Sequence, residues 1–440
     1  MNGHPNYSAV VVGCGKLGTP LVGVLAEAGH SVVGIDLNES LVEKLSSGFV
    51  PWSEPGLQEI ITSNFSRIRF VSKFQENIRG SDISFIIVPT PSGSDGAFSN
   101  EYVISAVEAL ALELKQNLQA PHTIVIVSTV MPGSTSGVIS DALNSALGTK
   151  LHKISLCYSP EFIALGSVIQ NMKYPDIILI GENDKAAGDL LEQVSKSYAL
   201  NEPKVFRLTI EEAEIAKISI NSYVTTKISF SNQISEMCER TMGASAEKVL
   251  VAIGSDSRIG NSYLKAATAF GGPCFPRDNR AFGLYAKSLG LNSDIAIATD
   301  QINVRQVQRL LDITRRRFNL GSHLILVGAS YKPDTDVIEE SPSVQFAKYA
   351  SDLGYKISVV DENVKEVPVK GVEVFSLENF ESQLKFIDGL ILLVPSIKYA
   401  NLPKNLSEDK VLIDCWGLWS EFSEKFQQNY HRLGNYDQPK

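Results

Sequence analysis

Short, almost wholly apolar runs recur along the first half of the chain, and stretches with helical spacing of apolar residues separate them. A strand that is apolar at every position is buried on both faces, as in a parallel sheet covered by helices on each side. The alternation therefore predicts a doubly wound α/β domain. Its predicted strands are 9–12, 31–35, 83–88, 124–127 and 177–180.

A long helix is predicted next. Thr209 and Glu212 have the spacing of a capping box, and neither Pro nor Gly interrupts the sequence before Cys238. After a second helical stretch the apolar runs return near residue 318, which predicts another Rossmann-like unit. Its predicted strands are 324–328, 357–360, 389–394 and 411–414.

The predicted fold class is therefore α/β, with two Rossmann-like doubly wound domains joined by a long central helix. The polar tail from Asn429 onward is expected to be loose. We predict three domains, with these bounds: 1–205, 206–317 and 318–440.

The first strand leads into a glycine-rich turn, Gly13-Cys14-Gly15-Lys16-Leu17-Gly18. Gly13 permits a tight turn, Gly15 lets the backbone approach a pyrophosphate, and Gly18 lets the helix pack closely on its strand. The phosphates would meet the helix N-terminus. Lys16 and Leu17 belong to the same candidate dinucleotide site, for which a turn without ligand is the alternative.

The second strand ends at Asp36, eighteen residues after Gly18. A carboxylate there accepts hydrogen bonds from ribose hydroxyls and repels a 2′-phosphate, which favours NAD over NADP. Two later strands end in polar segments that contain Thr90 and Thr129. Ligands of open α/β sheets bind outside the carboxyl ends of strands, so both threonines are candidate cofactor contacts. Ordinary turn chemistry explains them equally well.

A candidate nucleophile lies in Gly271-Gly272-Pro273-Cys274-Phe275-Pro276-Arg277-Asp278. The adjacent glycines let a substrate carbon approach the Cys274 sulfur, and a nearby cation such as Arg277 favours the reactive thiolate. The alternative is a buried cysteine that acts as a small apolar side chain.

Lys217 and Asn221 are four residues apart on the predicted long helix, so they lie on one face. An ammonium and an amide presented together can stabilise a developing alkoxide. An ordinary solvated helix face is the alternative.

Composition excludes several classes of protein. The 440 residues carry a net charge of −9, which argues against nucleic acid and anionic membranes as partners. No apolar run is long enough to cross a bilayer, and the first residues lack the features of a signal peptide, so a cytoplasmic location is expected. The five cysteines are scattered, as is typical of a reducing compartment, and the six histidines have no metal-ligand spacing, so no metal is expected.

Several longer motifs stand in order along the chain: GCGKLG, STVMPGST, YSPEF, EIAKISIN, RIGNSYLKAATAFGGPCFPRD and YKPDTD. With these motifs the chain resembles the UDP-glucose/GDP-mannose dehydrogenase family over nearly its whole length. The resemblance implies that NAD binds the first Rossmann-like domain and that the second holds most of a nucleotide sugar. It also implies oxidation of a sugar CH₂OH group to a carboxylate with two NAD.

The resemblance implies a role for each matched residue. Cys274 matches the thiol that captures the aldehyde as a thiohemiacetal and later forms a thioester. Lys217 and Asn221 match the pair that stabilises the oxyanions. The other matched catalytic residues order water or move protons: Asp278, Thr129 and Glu161.

The resemblance also implies a set of substrate contacts. In the family the arginine that matches Arg258 typically comes from the neighbouring subunit, so a homodimer or a higher homo-oligomer is implied. The expected contacts with the nucleotide sugar are Glu161, Leu165, Lys217, Asn221, Arg258, Tyr263, Lys265, Gly271 and Lys332.

Some positions depart from the family pattern, and they concern ligand contacts. Leu165 stands where UDP-glucose enzymes usually have Glu, and Glu339 stands where an arginine usually contacts NAD. Trp416 falls near the place of an arginine that contacts substrate, and Pro273 replaces the usual Ser or Tyr. These changes leave the identity of the substrate open.

The leading hypothesis is a UDP-sugar 6-dehydrogenase, with UDP-glucose ahead of UDP-N-acetylhexosamines and GDP-mannose, because RIGNSYLKA and GGPCFPRD resemble UDP-glucose enzymes most. A two-electron alcohol or 3-hydroxyacid dehydrogenase is the second hypothesis, but it needs no thiol. A nucleotide-binding protein without activity is the third.

Overall fold

The structure is a computed structural model that describes residues 5–74, 78–117, 121–148 and 153–436. Its first part contains a mixed sheet of eight strands. Its strand order is β3-β2-β1-β4-β5-β6-β7-β8. The strands are β1 (Ser8–Val12), β2 (Ser31–Ile35), β3 (Ile68–Val71), β4 (Ile83–Ile86), β5 (His122–Ile126), β6 (Ile154–Tyr158), β7 (Ile177–Glu182) and β8 (Lys204–Leu208).

The order of the first six strands is that of a dinucleotide-binding sheet, with its reversal between β1 and β4. In register, Val10 of β1 lies beside Val33 of β2 and Ser84 of β4. The prediction of a parallel sheet holds for these strands, but β7 runs antiparallel to β6. An apolar strand has the same pattern in either direction, so the sequence did not reveal this change.

Helices cover both faces of this sheet, as the apolar strands predicted. One core cluster packs α1, α3, α6 and α7 on one face, and a second packs α4, α5 and the start of α8 on the other. These helices and their neighbour α2 are α1 (Gly18–Glu27), α2 (Glu39–Ser46), α3 (Leu57–Ser63), α4 (Glu101–Asn117), α5 (Ser140–Leu147), α6 (Val168–Lys173), α7 (Lys185–Tyr198) and α8 (Ile210–Glu239).

The long helix α8 confirms the predicted capping box. The Glu212 N–H donates to Thr209 Oγ1 at 3.2 Å, and the Thr209 N–H donates to Glu212 Oε2 at 2.9 Å. Three further helices follow α8, and they precede the second sheet: α9 (Ala246–Gly254), α10 (Phe275–Ser288) and α11 (Asp294–Arg317).

The second sheet is parallel throughout, with strand order β11-β10-β9-β12-β13-β14, which repeats the order of the first six strands. Core clusters lie on both of its faces, so the second Rossmann-like unit is confirmed. Its elements are β9 (His323–Val327), α12 (Pro342–Asp352), β10 (Lys356–Val360), β11 (Glu373–Phe375), α13 (Leu377–Gln383), β12 (Gly389–Leu392), β13 (Val411–Asp414), α14 (Ser423–Phe426) and β14 (Tyr430–Arg432).

The expectation of a loose tail is wrong for residues 430–436. Strand β14 pairs with β13, Leu433 is buried, and the Gly434 carbonyl accepts the Ala246 N–H at 2.8 Å. Pairing with a strand supplies the hydrogen bonds that a short polar segment cannot make alone. Residues 437–440 lie outside the described residues.

The chain divides into two compact units, one that ends at Ile218 and one that begins at Ser219. The three domain bounds of the sequence analysis stay a prediction. In the part of the chain that the structure describes, none of the helices has the length and apolar character needed to span a bilayer.

Candidate active site

The turn between β1 and α1 leaves space beside its backbone at the position expected for a pyrophosphate. Gly13 has φ +95°, and a Cβ there would lie 2.5 Å from the Ile87 carbonyl oxygen. A Cβ on Gly18 would lie 1.7 Å from the Gly13 carbonyl oxygen, whereas one on Gly15 would meet nothing within 4 Å. The turn therefore requires glycine at 13 and 18 for its own packing, and Gly15 leaves room for a ligand at the start of α1.

Asp36, at the end of β2, faces the same turn. Its Oδ2 accepts the Cys14 N–H at 2.8 Å, and its Oδ1 accepts the Asn38 N–H at 2.9 Å. A carboxylate has about four lone-pair positions, so these two bonds leave capacity for ribose hydroxyls. Lys16 is exposed beside the turn, and Leu17 packs against the core. This geometry fits NAD.

The carboxyl ends of β4 and β5 are tied together at the same edge of the sheet. Thr90 Oγ1 donates to the Thr129 carbonyl oxygen at 2.7 Å, so the structure brings these two predicted contacts together. Ser128 Oγ donates to the Val88 carbonyl oxygen at 2.7 Å and accepts the Val88 N–H at 2.9 Å.

Lys217 lies buried near the N-terminal end of α8, against the segment that follows β6. Its Nζ donates to the Glu161 carbonyl oxygen at 2.6 Å and lies 4.5 Å from the centre of the Phe162 ring. Burial raises the pKa of the Glu161 carboxyl to about 7, and the nearby Lys217 ammonium limits the rise. Lys217 is therefore not on a solvated helix face.

Glu214 is a buried residue of this region that sequence reasoning missed. Its carboxylate accepts the Gly133 N–H at 2.5 Å and the Thr135 N–H at 2.9 Å, which fastens the segment after Thr129 to α8. The signal in the sequence was a polar stripe at helical spacing, i, i+3 and i+7, formed by Glu214, Lys217 and Asn221.

Cys274 immediately precedes α10, and it is the exposed member of the five cysteines, all of which lie in the described residues. Its carbonyl oxygen accepts the Asp278 N–H at 2.8 Å. The thiol is thus at a helix N-terminus, where the helix dipole favours negative charge. The alternative that Cys274 is a buried cysteine is wrong.

Asn221 and Asp278 meet directly, although 57 residues separate them: Asn221 Nδ2 donates to Asp278 Oδ2 at 2.6 Å. Asp278 is almost fully buried, and Arg277 Nε lies 3.5 Å from its Oδ1. Among the described residues, this Oδ1 has no hydrogen-bond donor. The arrangement leaves a buried carboxylate oxygen able to accept a hydrogen bond from water or a substrate hydroxyl.

The thiol segment packs against the segment that follows β9. A Cβ on Gly271 would lie 2.3 Å from the Glu340 carbonyl oxygen, and one on Gly272 would lie 2.5 Å from the Tyr331 ring. The Gly272 N–H donates to the Glu339 carbonyl oxygen at 3.0 Å. Close approach of the Glu340 carbonyl group therefore explains Gly271, close approach of the Tyr331 ring explains Gly272, and Glu339 contributes its carbonyl group here.

Two cations expected to contact the substrate lie against aromatic rings in the second unit. Lys265 Nζ is 5.6 Å from the centre of the Trp416 ring, and Lys332 Nζ is 5.9 Å from that of Tyr331. Trp416, which replaces an expected cation, thus contacts a cation instead. Its Nε1 donates to the Leu393 carbonyl oxygen at 2.8 Å, which fixes the ring.

Arg258 and Tyr263 are exposed members of the set of expected substrate contacts. Arg258 pairs with Asp256 two residues earlier, at 2.6 Å, and its side chain is 86% exposed. Tyr263 has φ +60° and packs edge-on against Phe275. The Arg258 side chain therefore lies at the surface of the second unit.

Leu165 packs against the core of the first unit. The segment around it is held by Glu54, whose carboxylate accepts the Gly166 N–H at 2.9 Å and the Val168 N–H at 2.7 Å. An apolar residue at 165 therefore has a packing role.

Protein-family models match most of the chain. Residues 8–199 match the NAD binding domain of the UDP-glucose/GDP-mannose dehydrogenase family, residues 211–305 match its central domain, and residues 325–421 match its UDP binding domain.

Curated relatives are similar along nearly their whole length. UDP-glucose 6-dehydrogenase of Bacillus subtilis is 30% identical over 423 residues, which covers 93% of each chain. GDP-mannose 6-dehydrogenase of Pseudomonas savastanoi is also 30% identical, and the match covers 93% of this chain and 95% of that one. Among solved structures, a UDP-glucose dehydrogenase of Pyrobaculum islandicum superposes with a TM-score of 0.88 at 29% identity, covering 99% of both chains.

Proposed function

The chain belongs to the UDP-glucose/GDP-mannose dehydrogenase family and is an NAD-dependent oxidoreductase of nucleotide sugars, and we propose that it oxidises C6 of UDP-glucose to give UDP-glucuronate. The observation that carries the proposal is Cys274, an exposed thiol at the start of α10, one turn before Asp278. The motifs RIGNSYLKA and GGPCFPRD favour UDP-glucose within the family.

Cys274 explains how one site completes two oxidations. Loss of a hydride and a proton from the C6 alcohol gives an aldehyde, to whose carbon the Cys274 thiolate adds. The oxygen takes up a proton, and the product is a thiohemiacetal. Loss of a second hydride and proton leaves a thioester, which water cleaves to the carboxylate while the thiol is restored.

Polar groups of the chain, of which Lys217 and Asp278 are buried, would support the charge changes of these steps. Lys217 and Asn221 would stabilise the oxyanions with an ammonium and an amide. Asp278, with an open buried oxygen, would order water together with Thr129. Glu161, whose carboxyl has a pKa of about 7, can bind and release a proton near neutral pH.

The glycine turn and Asp36 would hold the cofactor. Bound NAD accepts a hydride in each oxidation. The turn would place its pyrophosphate at α1, with Lys16 and Leu17 beside it, and Asp36 would accept the ribose hydroxyls. Thr90 and Thr129 would contact it at the adjacent strand ends.

The proposed contacts with the nucleotide sugar supply positive charge and close backbone approach in an acidic protein. Because Arg258 is exposed, we propose a homodimer in which it reaches the partner's substrate. The cytoplasm, where a reactive thiol stays reduced, is the proposed location. The proposed contacts, besides Glu161 and Asn221, are Leu165, Lys217, Arg258, Tyr263, Lys265, Gly271 and Lys332.

A panel of UDP-glucose, UDP-N-acetylhexosamines and GDP-mannose, assayed for NADH formation, tests the substrate. UDP-glucose should give the highest kcat/KM. A higher kcat/KM for GDP-mannose or for a UDP-N-acetylhexosamine would identify that compound as the substrate in place of UDP-glucose. The chemistry of the family would be unchanged. A two-electron alcohol dehydrogenase remains the competing reaction class, and Cys274 has no task in it.

A further inference from the structure

The dipeptide Glu161-Phe162 holds the Lys217 ammonium from two directions. Lys217 Nζ donates a hydrogen bond to the Glu161 carbonyl oxygen at 2.6 Å, and the centre of the Phe162 ring lies 4.5 Å from Nζ. The ring and the lysine come from different elements, since Phe162 follows β6 and Lys217 lies on α8.

A buried ammonium is costly unless nearby groups replace its hydration. Lys217 is 7% exposed, so little water reaches it. The face of an aromatic ring carries negative electrostatic potential and attracts a cation within about 6 Å, most strongly where both are desolvated. Phe162 therefore stabilises the charged form of Lys217 in a way that an aliphatic side chain of equal volume does not.

The ring itself is fixed by packing. Phe162 contacts the core cluster of the first unit that contains Tyr158 and Val130. This packing limits the movement of the ring, and the ring in turn restricts the long, flexible lysine side chain. Lysine has several rotatable bonds, and an ammonium displaced by even one rotamer would no longer meet a developing oxyanion.

We propose that Phe162 is a positioning residue whose ring holds the Lys217 ammonium in place for the oxidation steps. The inference rests on the proposed role of Lys217 in stabilising oxyanions. Phe162 has no acid, base or nucleophilic group, so the contribution proposed for it acts through Lys217.

Ring fluorination separates this role from packing. Phenylalanines with one, two and three ring fluorines at position 162 weaken the negative face stepwise while the ring shape barely changes. We expect kcat to fall with each fluorine, by about tenfold in total for a desolvated pair, while KM for the nucleotide sugar changes by less than about twofold. Phe162→Leu should lower kcat at least as much.

The chain offers a matched control pair. Lys425 Nζ lies 5.0 Å from the centre of the Phe426 ring, far along the sequence from the proposed machinery. The same fluorinated residues at position 426 should leave kcat unchanged. If kcat were the same for all the fluorinated variants at position 162, the positioning role would be overturned.

Lys217→Ala distinguishes failure of this inference from failure of the proposed function. In that background the fluorine series should have no further effect on the residual rate. An equal fall of kcat there would show a purely structural role for Phe162 and overturn the inference alone. A normal kcat in Lys217→Ala itself would overturn both the role of Lys217 and the inference.

Discussion

Single side chains bring charge into the interior near the proposed chemistry, and each one lies beside a specific partner. Lys217 has the Glu161 carbonyl and the Phe162 ring, and Asp278 has Asn221. Such groups respond to pH and to substitution in ways that surface charges do not, because water does not screen them.

The Glu161 carboxyl should make stability depend on pH. Its pKa is raised from 4.5 to about 7 by burial, so the folded state binds the proton more tightly than the unfolded state. Stability from this group is therefore lost as the pH rises from about 4.5 to about 7 and is constant above that. As the pH rises through this range, the free energy of unfolding of Glu161→Gln should increase relative to that of wild type by on the order of 2 kcal/mol. Urea unfolding of both proteins at several pH values measures it; a pH-independent difference would contradict the prediction.

Replacement of the proposed nucleophile should stop formation of the acid. In Cys274→Ser, a hydroxyl that is far less ionised replaces the thiol, so the rate should fall by several orders of magnitude. Cys238→Ala is the matched control, because Cys238 is buried outside the proposed machinery. Comparable acid formation by Cys274→Ser and wild type would eliminate the covalent mechanism.

At the scale of single residues, the sequence indicates candidate site residues but not which residues they contact. Cys274, Lys217 and Asn221 could be selected from local spacing and motif. Phe162 and Glu214 could not be assigned roles, because their partners lie 55 and about 80 residues away in the sequence and only the packing of strand against helix brings them together.

Among the elements, the apolar runs predicted the buried strands well because these strands are covered on both faces. The predicted 31–35 and 411–414 coincide with β2 and β13, and 83–88 overran β4 by two residues. The pattern of apolar runs does not predict the direction of a strand or the presence of a short polar strand. Strand β7 is antiparallel to β6, and β14 forms only through its pairing with β13.

Helices α8 and α11 are joined by a largely buried ion pair that should contribute strongly to stability. Arg309 donates to Glu239 at 2.5 Å and 3.1 Å, and Glu239 also accepts the Gly434 N–H. Arg309→Met would leave the carboxylate buried without its cation and should cost about 3–5 kcal/mol.

The exposed pair between Arg315 and Asp312 on α11 is the control, and Arg315→Met should cost about 1 kcal/mol or less. Urea unfolding midpoints of the two variants give the comparison. Equal losses would mean that burial does not distinguish these pairs.

The β1-turn-α1-β2 segment should determine cofactor choice. Because the Asp36 carboxylate ends β2 beside the glycine turn, kcat/KM should be higher with NAD than with NADP. Asp36→Ser should reduce that preference by removing the repulsion of the 2′-phosphate. Steady-state rates with both cofactors measure it, and equal use of NADP by wild type would refute the role of Asp36.

In the whole molecule, the same order of six strands occurs in both sheets. The turn that follows the first strand of each sheet, β1 or β9, differs between them. Gly13 and Gly328 both have positive φ, at +95° and +92°, and Cys14 and Ala329 each donate an N–H to the aspartate that ends the next strand, Asp36 or Asp361. Only the first turn continues with Gly15 and Gly18, so the sequence could predict a dinucleotide there and a different ligand for the second unit.

The number of NADH released per UDP-glucose, measured with the sugar limiting and NAD in excess, tests the proposed four-electron oxidation most directly. The Cys274 mechanism predicts two NADH for each sugar consumed and UDP-glucuronate as the product. One NADH per sugar, with an aldehyde or ketone as the product, would contradict it.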